Sequence, residues 1–252
     1  MAKKSNPDPR KRGNPEEEPL LINENMLADN RLDFERGNPE EEPLLINENM
    51  LADNRLDFER GMSYFPPLTL MLITANIIVF LWQMATGALE SKAAIIDAGA
   101  LERTRILQGE VWRLVSPIFL HGSVDHLLGN CMALYVLGMA CEHALGFKKA
   151  GIIYLISGLC GSLLSVLMSP GPSVGASGAI FGLMGSIVVF FSRYQKTFFV
   201  RDRRIGLVIA AWGLYTLVLG FLTPFVDNFA HIGGAIGGSI ATLFQKSRFT
   251  VR

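Results

Sequence analysis

Residues 175–191 read GASGAIFGLMGSIVVFF, a serine set among small residues and followed at once by an apolar run. A run of that composition predicts a helix in a membrane, with Ser177 at its mouth. Comparable runs stand on both sides, at residues 68–84, 124–145, 150–168, 205–222 and 229–244. Half of the 252 residues are hydrophobic and 25 are glycine, a composition foreign to an ordinary soluble domain. The reading is an all-α polytopic membrane protein, a bundle of six transmembrane helices.

A net charge of zero hides a division. Residues 1–60 carry 15 acids and 9 bases, whereas the remainder carries 8 acids and 14 bases. The organisation expected is a flexible acidic tail over residues 1–62, a six-helix domain over 63–246 and a short basic tail over 247–252. Within the first tail, residues 12–35 (RGNPEEEPLLINENMLADNRLDFE) recur unchanged as residues 36–59. Two copies are too few for a repeat architecture. Identity at every position points to recent duplication or an artefact of assembly. The low apolar content predicts disorder, with at most a short helix per copy at 25–34 and 49–58. Basic residues lack interleaved aromatics on a polar face, so no nucleic-acid groove is expected. Cys131, Cys141 and Cys160 are odd in number and scattered through apolar runs, which argues against a disulfide framework or a metal pair. No cleavable signal opens the chain, and the first apolar run would itself serve for targeting.

The connections alternate in charge. Lys148 and Lys149 fall between the second and third runs, and Arg193, Lys196, Arg201, Arg203 and Arg204 between the fourth and fifth. Residues 169–176 and 223–228 contain no lysine or arginine. That pattern predicts cytoplasmic termini, and a bacterial plasma membrane is the default location. The long connection over residues 88–113 carries charges of both signs and is expected to hold its own structure. It ends in Trp112-Arg113, an amphipathic pair suited to the headgroup level.

With that topology the second, fourth and sixth runs start from the outer face. Each carries its unusual polar residue near the start: His126 and Asn130 one helical turn apart, Ser177, and His231. Polar side chains inside spans are costly and face one another or a cavity. Small residues four apart, Gly178 and Gly182 in one run and Gly234 and Gly238 in the other, let two backbones approach closely. Their contact would bring His231 to Ser177. A serine hydroxyl needs a base within hydrogen-bond reach, and histidine titrates in the right range. With no acid inside either run, a two-residue dyad is expected, its imidazole resting on the ring of Phe181. Asn130, His126 and the Ser177 amide are the available donors for an oxyanion.

Trp112-Arg113, the series His121-Gly122, His126 and Asn130, the string 175–178, and Ala230-His231 with Gly234 and Gly238 together resemble the rhomboid family of intramembrane proteases. The likeness covers residues 64–244 in order and spacing, in a rhomboid-like six-span form, and leaves out the tail. It implies Ser177 as nucleophile, His231 as its base, and His126, Asn130 and the Ser177 amide as the oxyanion hole. Gly175, Gly178, Phe181 and His121 would be supporting residues. The implied partners are single-span transmembrane protein substrates and the lipid bilayer, without metal or cofactor.

Each piece alone has a plainer reading. A GxSG string is commonly helix packing, His126 an interhelical hydrogen bonder, and His143 beside Glu142 a solvated cap. HExxH and GxGD are absent, which sets aside the metallo and aspartyl membrane proteases. A non-proteolytic client-binding relative and a small transporter are the alternatives. The latter would be expected to show internal symmetry between its halves, and none is found.

Overall fold

The computed structural model describes residues 44–45, 56–169, 171–224 and 226–250. Eight α-helices follow in order among these residues: α1 (Pro67–Ala85), α2 (Lys92–Asp97), α3 (Arg103–Leu107), α4 (Val124–Leu145), α5 (Phe147–Met168), α6 (Ser177–Arg193), α7 (Val200–Leu222) and α8 (Asn228–Leu243). Two 3-10 turns, Val111–Leu114 and Ser116–Phe119, lead into α4. Two short strands, β1 (Leu44–Leu45) and β2 (Phe249–Thr250), pair in parallel. Among the described residues four helical stretches are long and apolar enough to cross a membrane: Pro67–Ala85, Val124–Leu145, Phe147–Met168 and Arg204–Leu222. Helix α6 is a shorter apolar helix of 17 residues and α8 has 16.

Apolar side chains face outward as well as inward. Ile78, Leu81, Met132, Val136, Leu163, Leu207, Leu214 and Phe221 are exposed, whereas Asn76, Gln83, Ser157, Ser162, Ser165 and Ser186 are buried beside a core that includes Leu134, Leu137, Ile153, Tyr154 and Phe190. Lipid is as apolar as that core, so small and hydrogen-bonding residues are what let the helices approach. Helix α6 is the hub, and α4, α5, α7 and α8 all pack on it. Its buried face holds Ala179, Ile180, Leu183, Ile187, Phe190 and Phe191. The α6–α8 contact is backbone against backbone: a Cβ placed on Gly234 would meet the Gly178 carbonyl, and one on Gly238 the Gly182 carbonyl. Helix α7 packs mainly on α6 and little on α8.

The long connection does hold its own structure, in α2, α3 and the first 3-10 turn. Trp112 is half exposed, but Arg113 is not at a surface. It is 2% exposed, donating to the carbonyls of Ile96 and Ala100 and to Glu110 Oε2 at 2.6 Å. The guanidinium has five donors and here ties the loop from within, so the headgroup role expected for it is corrected.

A further expectation changes at the opposite end of the bundle. His143, read as a solvated cap, is buried and bonds the Phe58 carbonyl through Nε2 at 2.8 Å. Glu142 beside it accepts from the amides of Leu68 and Thr69, each at 3.1 Å, and from Thr69 Oγ1 at 3.0 Å. Helix α1 begins with Pro66-Pro67 and has no side-chain cap of its own, so a neighbouring helix supplies one. Replacing Glu142 with leucine strands three donors and is expected to cost about 2–4 kcal/mol, read by unfolding in mixed micelles. Glutamine, keeping one acceptor, should cost less.

The expected tails are also shorter than drawn. Leu56 and Phe58 are each 1% exposed, and Phe249 packs on the ring of His143. Residues 56–58 form a bridge and the start of a turn instead of ending a helix. The helix expected at 25–34, the rest of the one at 49–58 and the disorder expected of the tail lie outside the described residues.

Candidate active site

Ser177 is the first residue of α6, preceded by Gly175 at φ +129°, a backbone conformation that side chains disfavour. Space makes the same demand. A Cβ on Gly175 would stand 2.7 Å from the His126 ring and 3.6 Å from Asn130 Nδ2. The strand of chain before the serine thus runs against both side chains of α4, and a glycine is what lets it pass. Gly178, one residue beyond, faces the Ala230 carbonyl of α8 at 3.1 Å from its would-be Cβ.

That close approach delivers His231. Its Nε2 lies 2.9 Å from Ser177 Oγ, within hydrogen-bond reach of a nucleophile and its base. The imidazole is stacked on Phe181, with centroids 4.2 Å apart and planes within 9°. Phe181 is one turn beyond Ser177, so one face of α6 presents both the hydroxyl and the ring that holds its partner. His231 Nδ1 is buried without a hydrogen-bond partner among the described residues. Among the described residues no third side chain bonds the imidazole at that nitrogen, and the ring rests on Phe181.

Asn130 is buried, and its Nδ2 has no partner among the described residues. It is a donor held ready beside the serine loop. His126 lies one turn earlier on α4, its ring 5.2 Å from that of His121 in an edge contact. His121 is fully buried, and Gln83 of α1 clasps its backbone, donating to its carbonyl and accepting from its amide. Burial, and then the neighbouring His126, pushes the His121 imidazole down to about 4, so it is neutral at pH 7. Its place is behind His126, away from the serine–histidine contact. All eight residues singled out in the sequence therefore fall in or against one site.

One residue was missed. Asp227 caps α8, accepting from the Ala230 amide at 3.1 Å, and also accepts from Ser169 Oγ at 2.6 Å and from Ser165 Oγ of α5. It stands one turn before His231 and pins that end of α8 to α5. Burial pushes its carboxyl up, but hydrogen bonds from Ser165, Ser169 and the Ala230 amide together outweigh this and hold it below the ordinary value. Its contribution is present above the usual carboxylate range and is lost as pH falls through the lowered value. Asp227→Ala is expected to cost about 2–4 kcal/mol at neutral pH, measured by unfolding in mixed micelles. Its sequence signal is an aspartate just before the apolar run, a capping position outside the run itself.

The described residues contain no group of three or more potential metal-ligating side chains.

A family model described as the rhomboid domain matches residues 108–248, more than half of the chain. The chain is 39% identical over 176 residues to rhomboid protease GluP of Bacillus subtilis, covering 70% of this chain and 34% of that protein. It is 43% identical over 147 residues to RHOMBOID-like protein 5 of Arabidopsis thaliana, covering 56% and 46%. Against rhomboid protease AarA of Providencia stuartii the identity is 34% over 203 residues, covering 70% and 71%. The chain thus spans a third to a half of the first two relatives and most of the third. With the family model, the similarity to AarA along most of its length and an all-helical membrane bundle in agreement, this chain belongs to the rhomboid family.

Proposed function

We propose that the chain is an intramembrane serine endopeptidase that cuts single-span membrane proteins near the outer membrane boundary through a Ser177–His231 dyad. The observation that carries the reading is the 2.9 Å contact between His231 Nε2 and Ser177 Oγ at the start of a membrane-length helix. Names of relatives that include rhomboid proteases support it.

In the proposed reaction Ser177 Oγ attacks the scissile carbonyl carbon while His231 Nε2 takes the hydroxyl proton. The carbonyl π electrons move to oxygen, and the tetrahedral oxyanion accepts from Asn130, His126 and the Ser177 amide, which has no intrahelical acceptor at its position. His231 returns the proton to the departing amine as the C–N bond breaks. Water then enters and attacks the acyl carbon as it loses a proton to His231, which passes that proton to Ser177 Oγ as the ester bond breaks and the acid leaves.

Water has to reach a site inside a membrane. Helices α6 and α8 are roughly 24–26 Å long at about 1.5 Å per residue, short of a hydrocarbon core of roughly 30 Å. If their basic inner ends sit at one surface, their starts lie below the other in a hydrated dent. In this arrangement α1, α4, α5, α6, α7 and α8 are the six spans, both termini are cytoplasmic, and a bacterial plasma membrane is the host. Helix α7 packs little on α8, which suits it to admit a substrate helix laterally.

The test is a cleavage assay of purified protein with a model single-span substrate, together with a fluorophosphonate probe. The expected result is a cut within the outer boundary of the substrate's span and a probe adduct on Ser177. Cleavage without labelling of Ser177 would overturn the dyad. Substrate that co-purifies uncut would favour client binding without proteolysis.

A further inference from the structure

Between α2, α3 and the connection from α5 to α6 lies a cavity of about 570 Å³. Sites for small molecules run from roughly 300 to 1,000 Å³. Lys92, Asp97, Glu102 and Arg103 line it, together with Ser169 and Pro172 of the connection. That connection is tied to the serine–histidine site at two points. Ser169 Oγ donates to Asp227, the cap of α8, and Leu101 and Ser173 exchange backbone hydrogen bonds at 2.9 and 3.1 Å. The cavity therefore stands at the end of the bundle that carries Ser177, where α5 ends.

Two of its bases are not used up by the protein. Lys92 has no hydrogen bond or ion pair among the described residues, and Arg103 spends only its Nε, on the Val166 carbonyl. A third base at the cavity, Arg105, is taken: it pairs with Asp97 Oδ1 at 3.0 Å and with Glu110 Oε1 at 3.4 Å. Lys92 and Arg103 are left, a pair that suits a phosphate group. A plain anion would also face the carboxylates of Asp97 and Glu102, so a ligand carrying both charges matches the lining better. Apolar surface adjoins the cavity as well. Leu107 lies one turn beyond Arg103 on α3, and Leu167 and Met168 directly precede Ser169; all three are exposed. Such surface suits acyl chains and is of no use to a ligand wholly soluble in water.

We propose that this cavity holds the head group of phosphatidylethanolamine, with the phosphate diester on Lys92 and Arg103, the ammonium on Asp97 and Glu102, and the acyl chains along Leu107 and Met168. Basic pockets at membrane-protein surfaces bind lipid head groups in this way. The acids add selectivity. The primary ammonium donates three hydrogen bonds, a choline head group donates none, and a glycerol head group has no cation to offer them. Lipid binding here does not depend on the catalytic reading.

Native mass spectrometry of the purified full chain, with each lipid added to the micelles in known amount, counts the bound molecules. Phosphatidylethanolamine is expected to bind about fivefold or more tighter than phosphatidylcholine or phosphatidylglycerol, which is the contribution of roughly one charge at a membrane surface. Lys92→Ala should weaken its binding about fivefold. Lys148→Ala, at an exposed position at the other end of α5, should change it less than about twofold, because the charge is screened over that distance. Asp97→Asn should abolish the preference over phosphatidylcholine. Equal binding of the three lipids by the wild type overturns the proposal, and so does an equal effect of the two lysine variants or an unchanged preference in Asp97→Asn. Free phosphoethanolamine at the concentration of the lipid should fail to displace it. If it displaces the lipid, the cavity is a site for a soluble phosphate compound and the lipid assignment falls.

Discussion

Alanine at Ser177 is expected to lower the cleavage rate by a factor of at least about 10³, with substrate binding nearly unchanged. The hydroxyl contributes the bond that forms, and nothing else within the described site offers an oxygen at that point. His231→Ala should fall by a similar factor, since the serine keeps its place but has no proton acceptor. The double variant should be little worse than either alone, because the two act as a unit. Steady-state cleavage of a single-span substrate in proteoliposomes checks all three. Equal rates in wild type and Ser177→Ala would show that another group does the chemistry.

Valine at Gly238 is expected to cost about 3 kcal/mol or more and to lower activity in whatever fraction still folds. Overpacked cores usually lose about 1–3 kcal/mol, because flexible side chains shift to make room. Here a Cβ on Gly238 meets the backbone carbonyl of Gly182, which cannot rotate away. The helices must separate instead, and their separation is what sets the 2.9 Å contact between His231 and Ser177. Ile240→Val, at an exposed position of the same helix, is the control and should be near neutral. Unfolding in mixed micelles and cleavage by the folded fraction give the two readouts. Unchanged stability in the Gly238 variant would mean that the helices have room to spare.

Much of this site was legible because membrane helices restrict what a sequence can mean. The run at 124–145 became α4 residue for residue, and the apolar start at Ser177 became the first residue of α6. The Gly178/Gly182 and Gly234/Gly238 pairs announced the contact that joins serine to histidine, and the spacing of Phe181 from Ser177 announced the stack. Local periodicity carries those relations. The misreadings have one cause, which is that charge near a helix end looks solvated in sequence. Glu142 and His143 are instead consumed by backbone groups arriving from far along the chain, and Arg113 by carbonyls 13 and 17 residues before it. Leu56 and Phe58 were hidden differently, as two apolar residues in a polar repeat whose groove is assembled from α4, α6 and the residues around Phe198.

The borrowed cap of α1 sets an order of events during synthesis. The amide of Thr69 finds its acceptor 73 residues further on, at Glu142. When α1 leaves the ribosome, its first turn has no partner for these donors, and lipid offers none. The first turn is then expected to stay at a membrane interface, or beside the insertion machinery, until α4 has been made and inserted. Only then can the first turn of α1 leave water. Arrest of translation before residue 142 should therefore leave the start of α1 open to a water-soluble label, and release should close it.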